Sequence, residues 1–143
     1  MVTWLTPHFS LEELTVTNQR GLNNRPGLRA RQRLRALAKT LEAVRAALGH
    51  RPVVITSGYR SAAVNRAVGG SPTSAHMRGE AADFVCPTFG APAEICRAIV
   101  RAEIGFDQLI EEDGRWVHLA IGGDERGQVL RWRPGRGYLE GLS

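Results

Sequence analysis

Hydrophobic residues recur at helical spacing between residues 28 and 48, with arginines on the opposite side. The apolar positions of this stretch are Leu28, Leu34, Leu37, Leu41, Val44 and Leu48. This spacing predicts one long helix that Pro26 opens and Gly49 stops. A second amphipathic pattern predicts a helix from Pro92 to about Ala102.

Two shorter helices are predicted from their caps. Ser10, followed by Glu13, is the signature of a capping box, in which each side chain satisfies a backbone amide of the other. Ser61 is expected to cap a second short helix, which ends near Gly69 and Gly70.

Strands are predicted where β-branched and apolar residues form short runs between turn signals. Residues 52–57 form one such run, expected to be a buried strand, and Asp83 lies on a second. Residues 109–112 and 116–121 are predicted to form a hairpin around Asp113-Gly114, a strong two-residue turn signal. The elements together predict an α+β fold, with helices on one face of a small antiparallel sheet.

The predicted hairpin also places a carboxylate near His118. With a two-residue turn, Leu109 pairs with His118 and Glu111 pairs with Trp116. Directly paired residues share a face and side chains alternate along a strand, so Glu111 is expected on the face of His118, one diagonal step away.

Size and composition indicate one soluble globular domain spanning residues 1–143, with a Gly- and Arg-rich tail from about residue 122. The net charge of +5 favours anionic partners without choosing among them. No nucleic-acid motif and no run long enough for a membrane span is present. Cys86 and Cys96 are expected to be reduced core or loop residues.

The candidate chemistry centres on His76, Asp83 and His118. Two imidazoles and one carboxylate are the ligand set of a catalytic zinc site, in which water takes the fourth position. Asp83 stands in an apolar strand, where an unpaired carboxylate is costly to bury, and a metal ion would remove that cost. Two ordinary alternatives remain open: Asp83 accepts backbone hydrogen bonds, and His118 faces outward from its strand.

Several ordered motifs resemble one family. They are Ser-Gly-Tyr-Arg-Ser at 57–61, Gly-Gly-Ser-Pro-Thr-Ser-Ala-His at 69–76, His-Met-Arg-Gly-Glu-Ala-Ala-Asp at 76–83, and Trp-Val-His at 116–118. Together they resemble the zinc D-Ala-D-Ala carboxypeptidases, which include phage L-alanyl-D-glutamate endopeptidases, and in particular their single-domain, phage-associated branch. The resemblance covers the chain from about His8 to Gly122.

The resemblance implies a hedgehog/DD-peptidase-like fold and one Zn²⁺ held by His76, Asp83 and His118. It implies that Arg60 steadies the substrate carbonyl and the oxyanion, and that Ser74 contacts the substrate near its carboxylate. Both roles make chemical sense, since a planar guanidinium donates two hydrogen bonds to developing negative charge.

The chain departs from the family's pattern at the position of the catalytic glutamate. The dipeptidase branch carries its catalytic glutamate three residues before the last histidine, where this chain has Arg115, which cannot act as a base. Glu111 is the best replacement as general base, with Glu112 and Asp113 as alternatives.

The sequence therefore predicts a monomeric zinc peptidase that cleaves peptidoglycan stem peptides. The N-terminus lacks the basic start and apolar run of a secretory signal, so we expect synthesis in the cytoplasm and delivery to the periplasm or cell wall by a holin or a virion. The alternative is an inactive phage structural or wall-binding protein on the same fold. A carboxylate beside the metal would favour the enzyme.

Overall fold

The computed structural model describes residues 1–143, which form a two-stranded sheet, a six-stranded sheet and three α-helices. In chain order the elements are β1 (Trp4–Thr6), β2 (Phe9–Ser10), α1 (Leu28–Ala47), β3 (Val54–Ser57), α2 (Ala62–Ala67), β4 (Ala81–Val85), α3 (Pro92–Arg101), β5 (Gln108–Glu112), β6 (Trp116–Ala120), β7 (Gln128–Arg133) and β8 (Gly137–Glu140). The larger sheet has the strand order β3-β4-β6-β5-β7-β8.

This architecture confirms the predicted α+β class, although the sheet is mixed. The sheet was expected to be antiparallel throughout; four of its five neighbouring pairs are antiparallel, but β5 and β7 run parallel. The parallel pair arises because β7 follows β6 in sequence and yet lies on the far side of β5.

One hydrophobic core lies between α1, α3 and one face of the six-stranded sheet. From the sheet, the residues of this face are Ala82, Phe84, Leu109, Val117 and Leu119, all fully buried. From the helices, they are Leu34, Leu37, Ala38, Leu41, Val44, Ile95, Cys96 and Ile99. Since side chains alternate along a strand, the residues between them point to the opposite face, which α1 and α3 leave open.

The two long helices match their predicted extents closely. Helix α1 begins at Leu28, whose side chain is 77% exposed and does not join the core as expected. None of the helices has the length and hydropathy that a membrane span requires.

The predicted capping box forms, but the helix behind it is only one 3-10 turn, Glu13–Thr15. The Glu13 amide donates to Ser10 Oγ at 3.1 Å and the Ser10 amide donates to Glu13 Oε1 at 3.1 Å. The residues before the turn pair as β1 and β2 instead. The cap of α2 is as predicted, since Ser61 Oγ accepts from the Val64 amide.

One strand prediction is wrong in its detail, and two strands were not predicted. The strand at 52–57 was expected to be buried, but β3 is an edge strand and Val54 is 47% exposed. The predicted Gly- and Arg-rich tail is instead part of the sheet, because β7 and β8 extend it beyond β5 and pair Trp132 with Tyr138.

Candidate metal centre and its cleft

His76, Asp83 and His118 converge on the open face of the sheet. Asp83 lies in the middle of β4 and pairs directly with His118 on β6, so both side chains point to the same side. His76 reaches them from a 3-10 turn, Ala75–Arg78, that comes just before β4. One ligand atom from each residue lies within 4.8 Å of the other two.

The imidazole nitrogens are oriented for binding an ion. His76 Nδ1 lies 2.7 Å from the Gly58 carbonyl oxygen, which only accepts, so Nδ1 carries the proton and donates it. Its Nε2 is then free and lies 3.3 Å from Asp83 Oδ1. His118 Nδ1 lies 2.9 Å from the same oxygen. A histidine whose second nitrogen is held by a carbonyl is the usual arrangement of a metal ligand.

The donors fit zinc chemically. Two imidazole nitrogens and one carboxylate oxygen are the protein ligands of a catalytic zinc site, and the adjoining cleft leaves room for a further ligand. The structure thus brings the predicted residues together, and their role as ligands stays a prediction.

The 3-10 turn that carries His76 depends on its two ends. Ser74 Oγ accepts the His76 amide at the start, at 3.2 Å. Gly79 ends the turn at φ +75°, in the left-handed region that favours glycine. A Cβ on Gly79 would lie 2.6 Å from the Ala30 carbonyl oxygen, so this turn packs against α1 as closely as backbones allow.

Asp83 is buried, with 6% of its surface exposed. Burial alone would raise the pKa of this carboxyl, but hydrogen bonds and charge from His118 and His76 outweigh it and hold the pKa well below its usual range. Asp83 is therefore ionised at neutral pH, which is the form that binds a cation.

Arg60 lies at the edge of the cluster. Its Nη2 is 3.6 Å from Asp83 Oδ2, while Nε donates to Ser57 Oγ at 3.3 Å and Nη1 to Asn65 Oδ1 at 3.4 Å. The Arg60 amide also donates to the carbonyl of His76 at 3.0 Å, so the arginine and the first ligand are fixed to each other.

The predicted hairpin register is wrong by one residue. The turn itself forms, since Asp113 and Gly114 both have positive φ and the Arg115 amide donates to the Glu112 carbonyl at 2.9 Å. Arg115, however, stays outside the ladder, so Glu112 pairs with Trp116 and Glu111 with Val117. A shift of one residue moves every side chain of a strand to the other face.

Glu111 therefore does not lie on the face of His118 as predicted. It is 3% exposed on the helix-facing side, where its carboxylate accepts from the Gly114 amide at 2.7 Å and from Arg133 at 2.5 Å. Burial raises the pKa of Cys96, a residue of α3 in the core, and the charge of Glu111 adds to the shift. The basis for assigning Glu111 as the base is thereby lost.

Glu112 takes the position that Glu111 was expected to have. Ile110 is directly opposite His118, and Glu112 lies two residues further along β5, on the same face and one diagonal step from His118. The sequence left Glu112 as an alternative, and only the unpaired Arg115 decides between the two glutamates.

These residues line one cleft of about 440 Å³. His76, Asp83 and His118 form one side, and the cleft also includes Arg60, Ser74, Ala75, Arg78, Ile110, Glu112, Trp116, Arg126 and Tyr138. The sequence did not predict that Tyr138 belongs here. It reaches the cleft because β8 extends the sheet, a consequence of pairing that the Gly- and Arg-rich segment does not reveal.

Comparison with known proteins agrees with this geometry. A segment of the chain is 46% identical over 44 residues to the zinc D-Ala-D-Ala carboxypeptidase of Streptomyces albus G, and covers 31% of this chain but only 17% of that protein. A family model described as Peptidase M15 matches residues 7–120, which contain all three candidate ligands and both glutamates. The resemblance inferred from the sequence is confirmed, and the chain belongs to the peptidase M15 family.

Proposed function

We propose that this protein is a zinc peptidase that hydrolyses an amide bond in peptidoglycan stem peptides. The observation that carries the proposal is the placement of Glu112 beside the His76, Asp83 and His118 cluster in one open cleft. Membership of the peptidase family and the name of the Streptomyces relative support the substrate class.

His76, Asp83 and His118 would hold the Zn²⁺. When bound, zinc polarises a substrate carbonyl and lowers the pKa of a water molecule to about 7.

Glu112 is assigned as the general base that takes a proton from the attacking water. Burial raises the pKa of this carboxyl, and the charges of Asp83 and Glu111 add to the effect, while His118 opposes it. A carboxylate with a raised pKa is a stronger base, since catalysis is most efficient when the pKa lies near the working pH. Glu112 then gives the proton to the departing amine.

Arg60 is assigned to the carbonyl oxygen of the scissile bond. Its guanidinium is held by Ser57 and Asn65, so its remaining donors need no rearrangement as negative charge develops. Ser74 lines the same cleft and is assigned to the substrate near its carboxylate. Its hydroxyl oxygen already accepts the His76 amide, but its proton is free for donation.

The scissile bond and the place of action are a further part of the proposal. We infer cleavage either at a D-Ala-D-Ala carboxyl end or at an internal L-Ala-D-Glu bond, and action at the cell wall after delivery by a holin or a virion. An inactive structural protein on the same fold would have no use for a half-buried carboxylate beside the cluster, and Glu112 argues against it.

Digestion of purified peptidoglycan, followed by mass spectrometry of the fragments, tests the proposal. Wild-type protein is expected to release one defined peptide, a chelator to stop release, and added Zn²⁺ to restore it. The mass of the product identifies the bond. Stoichiometric zinc binding without cleavage of any wall type would contradict the proposal and favour a binding role.

A further inference from the structure

Glu111 is buried on the helix-facing side of the sheet and takes no part in the proposed mechanism. Both of its carboxylate oxygens nevertheless accept hydrogen bonds. We propose that Glu111, held by Arg133, is a positioning residue that keeps Glu112 directed at the metal cluster. The inference rests on the proposed function, because it assigns Glu111 a task only if Glu112 is the base.

The contacts of Glu111 join two neighbouring elements. Oε1 accepts from the amide of Gly114 in the β5–β6 turn, at 2.7 Å, and Oε2 accepts from Arg133 Nη1 on β7, at 2.5 Å. A buried carboxylate without partners is costly, so the turn and the arginine are drawn to fixed positions around it. Glu111 thus connects the turn that follows Glu112 to the next strand of the sheet.

The orientation of the Glu112 carboxylate depends on this support, because no hydrogen bond from the protein holds it. The direction in which the Glu112 side chain points is therefore set by the backbone of β5 and by packing. That backbone continues into the turn, where the Arg115 amide donates to the Glu112 carbonyl and the Asp113 amide donates to the Trp132 carbonyl at 3.1 Å.

The two glutamates occupy opposite faces of the same strand, so a shift of one moves the other. Release of the Glu111 carboxylate would free the Gly114 amide and leave Arg133 Nη1 with the Trp132 carbonyl as its remaining acceptor. The turn would then relax directly after Glu112, the last residue of β5 in the ladder. A displacement of about 1 Å at a reacting group can cost 100-fold in rate.

The β7 strand supplies a matched control. Arg131 is the register partner of Glu111 on β7, but its guanidinium donates to the carbonyls of Glu140 and Gly141 instead of to Glu111. Arg131→Met removes the same charge from the same strand and leaves the Glu111 contacts in place. Arg133→Met removes the contact and keeps an unbranched side chain.

The experiment compares wild type with Glu111→Gln, Arg133→Met, their double variant and Arg131→Met. For the first two we expect kcat to fall by about 10- to 100-fold with KM and zinc content unchanged, and hydrogen exchange of the Gly114 amide to accelerate. The double variant is expected to lose no more than the larger single loss, since both substitutions remove one interaction. Arg131→Met should keep the wild-type kcat.

Chemical rescue separates a positioning residue from a base. Formate is expected to restore part of the activity of Glu112→Ala, because the cleft admits a small carboxylate. The activity of Glu111→Ala is expected to stay the same with and without formate. Restoration of Glu111→Ala would overturn the inference, because it would make Glu111 the base.

Two further results would overturn it. A wild-type kcat in Glu111→Gln and Arg133→Met, with a lower free energy of unfolding, would mean that the pair only stabilises the fold. An inactive wild type would remove the proposed function and the inference with it, and this outcome is distinguishable because it appears before any variant is compared.

Discussion

Arg60 is restrained on three sides before any substrate arrives. Ser57, Asn65 and Asp83 each contact a different nitrogen of its guanidinium. Lysine carries the same charge but concentrates it at one point and lacks the planar fork. We expect Arg60→Lys to lower kcat by about 100-fold, as loss of an oxyanion donor typically does.

Steady-state kinetics on a stem-peptide substrate check this expectation. Arg66→Lys is the control, because Arg66 is an exposed residue of α2 outside the cleft and should keep its kcat. An unchanged kcat in Arg60→Lys would show that charge alone suffices at this position.

The buried thiol of Cys96 is expected to stay protonated in the folded protein. Burial raises the pKa of its thiol to about 12, and the charge of Glu111 adds to the shift while Arg97 opposes it. The folded protein therefore keeps a proton that the unfolded chain releases above about pH 8.5, so this thiol reduces stability as the pH rises beyond that value.

We expect iodoacetamide at pH 8 to leave Cys96 unmodified in the folded protein and to alkylate it in guanidinium chloride, as mass spectrometry would show. Rapid labelling of the folded protein would mean that the thiol is not held in the core.

The metal-ligand candidates could be found from sequence because their residue types and neighbours are specific. His76, Asp83 and His118 occur within ordered motifs, and the structure brings them together. The preference for Glu111 over Glu112 rested on a wrong register, because the face of each glutamate depends on whether one residue, Arg115, joins the ladder. The turn signal is the same in both cases.

At the scale of elements, the 3-10 turn at Ala75–Arg78 links the candidate metal ligands to α1. Gly79 combines positive φ with a close approach to the Ala30 carbonyl. We expect Gly79→Ala to lower the free energy of unfolding by more than the left-handed conformation alone costs, which is about 1–2 kcal/mol. Displacement of His76 should also weaken zinc binding.

Gly135→Ala isolates the conformational part of this effect, since Gly135 has φ +72° and nothing within 4 Å of an added Cβ. Urea unfolding of both variants measures the difference. Equal losses would show that α1 yields to the added methyl group.

Elements with strong periodicity were predictable, and those that depend on pairing were not. Helices α1 and α3 lie where their apolar spacing placed them. Strands β7 and β8 were missed because a segment rich in glycine and arginine shows little alternation, and its structure comes from the edge that β5 offers. The capping box was predicted correctly, but a cap does not determine how long the following helix is.

At the scale of the whole molecule, the net charge of +5 should assist binding to an anionic wall. We expect KM for intact peptidoglycan to rise as salt increases, since screening shortens the reach of charge to about 8 Å at physiological ionic strength. Hydrolysis of a short uncharged stem-peptide analogue should change little. Equal salt effects on both substrates would show that the surface charge plays no part.

The most direct test of the account compares wild type with Glu112→Gln for zinc content and for peptidoglycan hydrolysis. Glutamine keeps the shape of the side chain and cannot accept the proton, so we predict one zinc per chain in both proteins and a rate about 10²- to 10⁴-fold lower in the variant. Wild-type activity in Glu112→Gln would contradict the assignment of the base. Loss of zinc together with activity would show that Glu112 acts on the metal site itself.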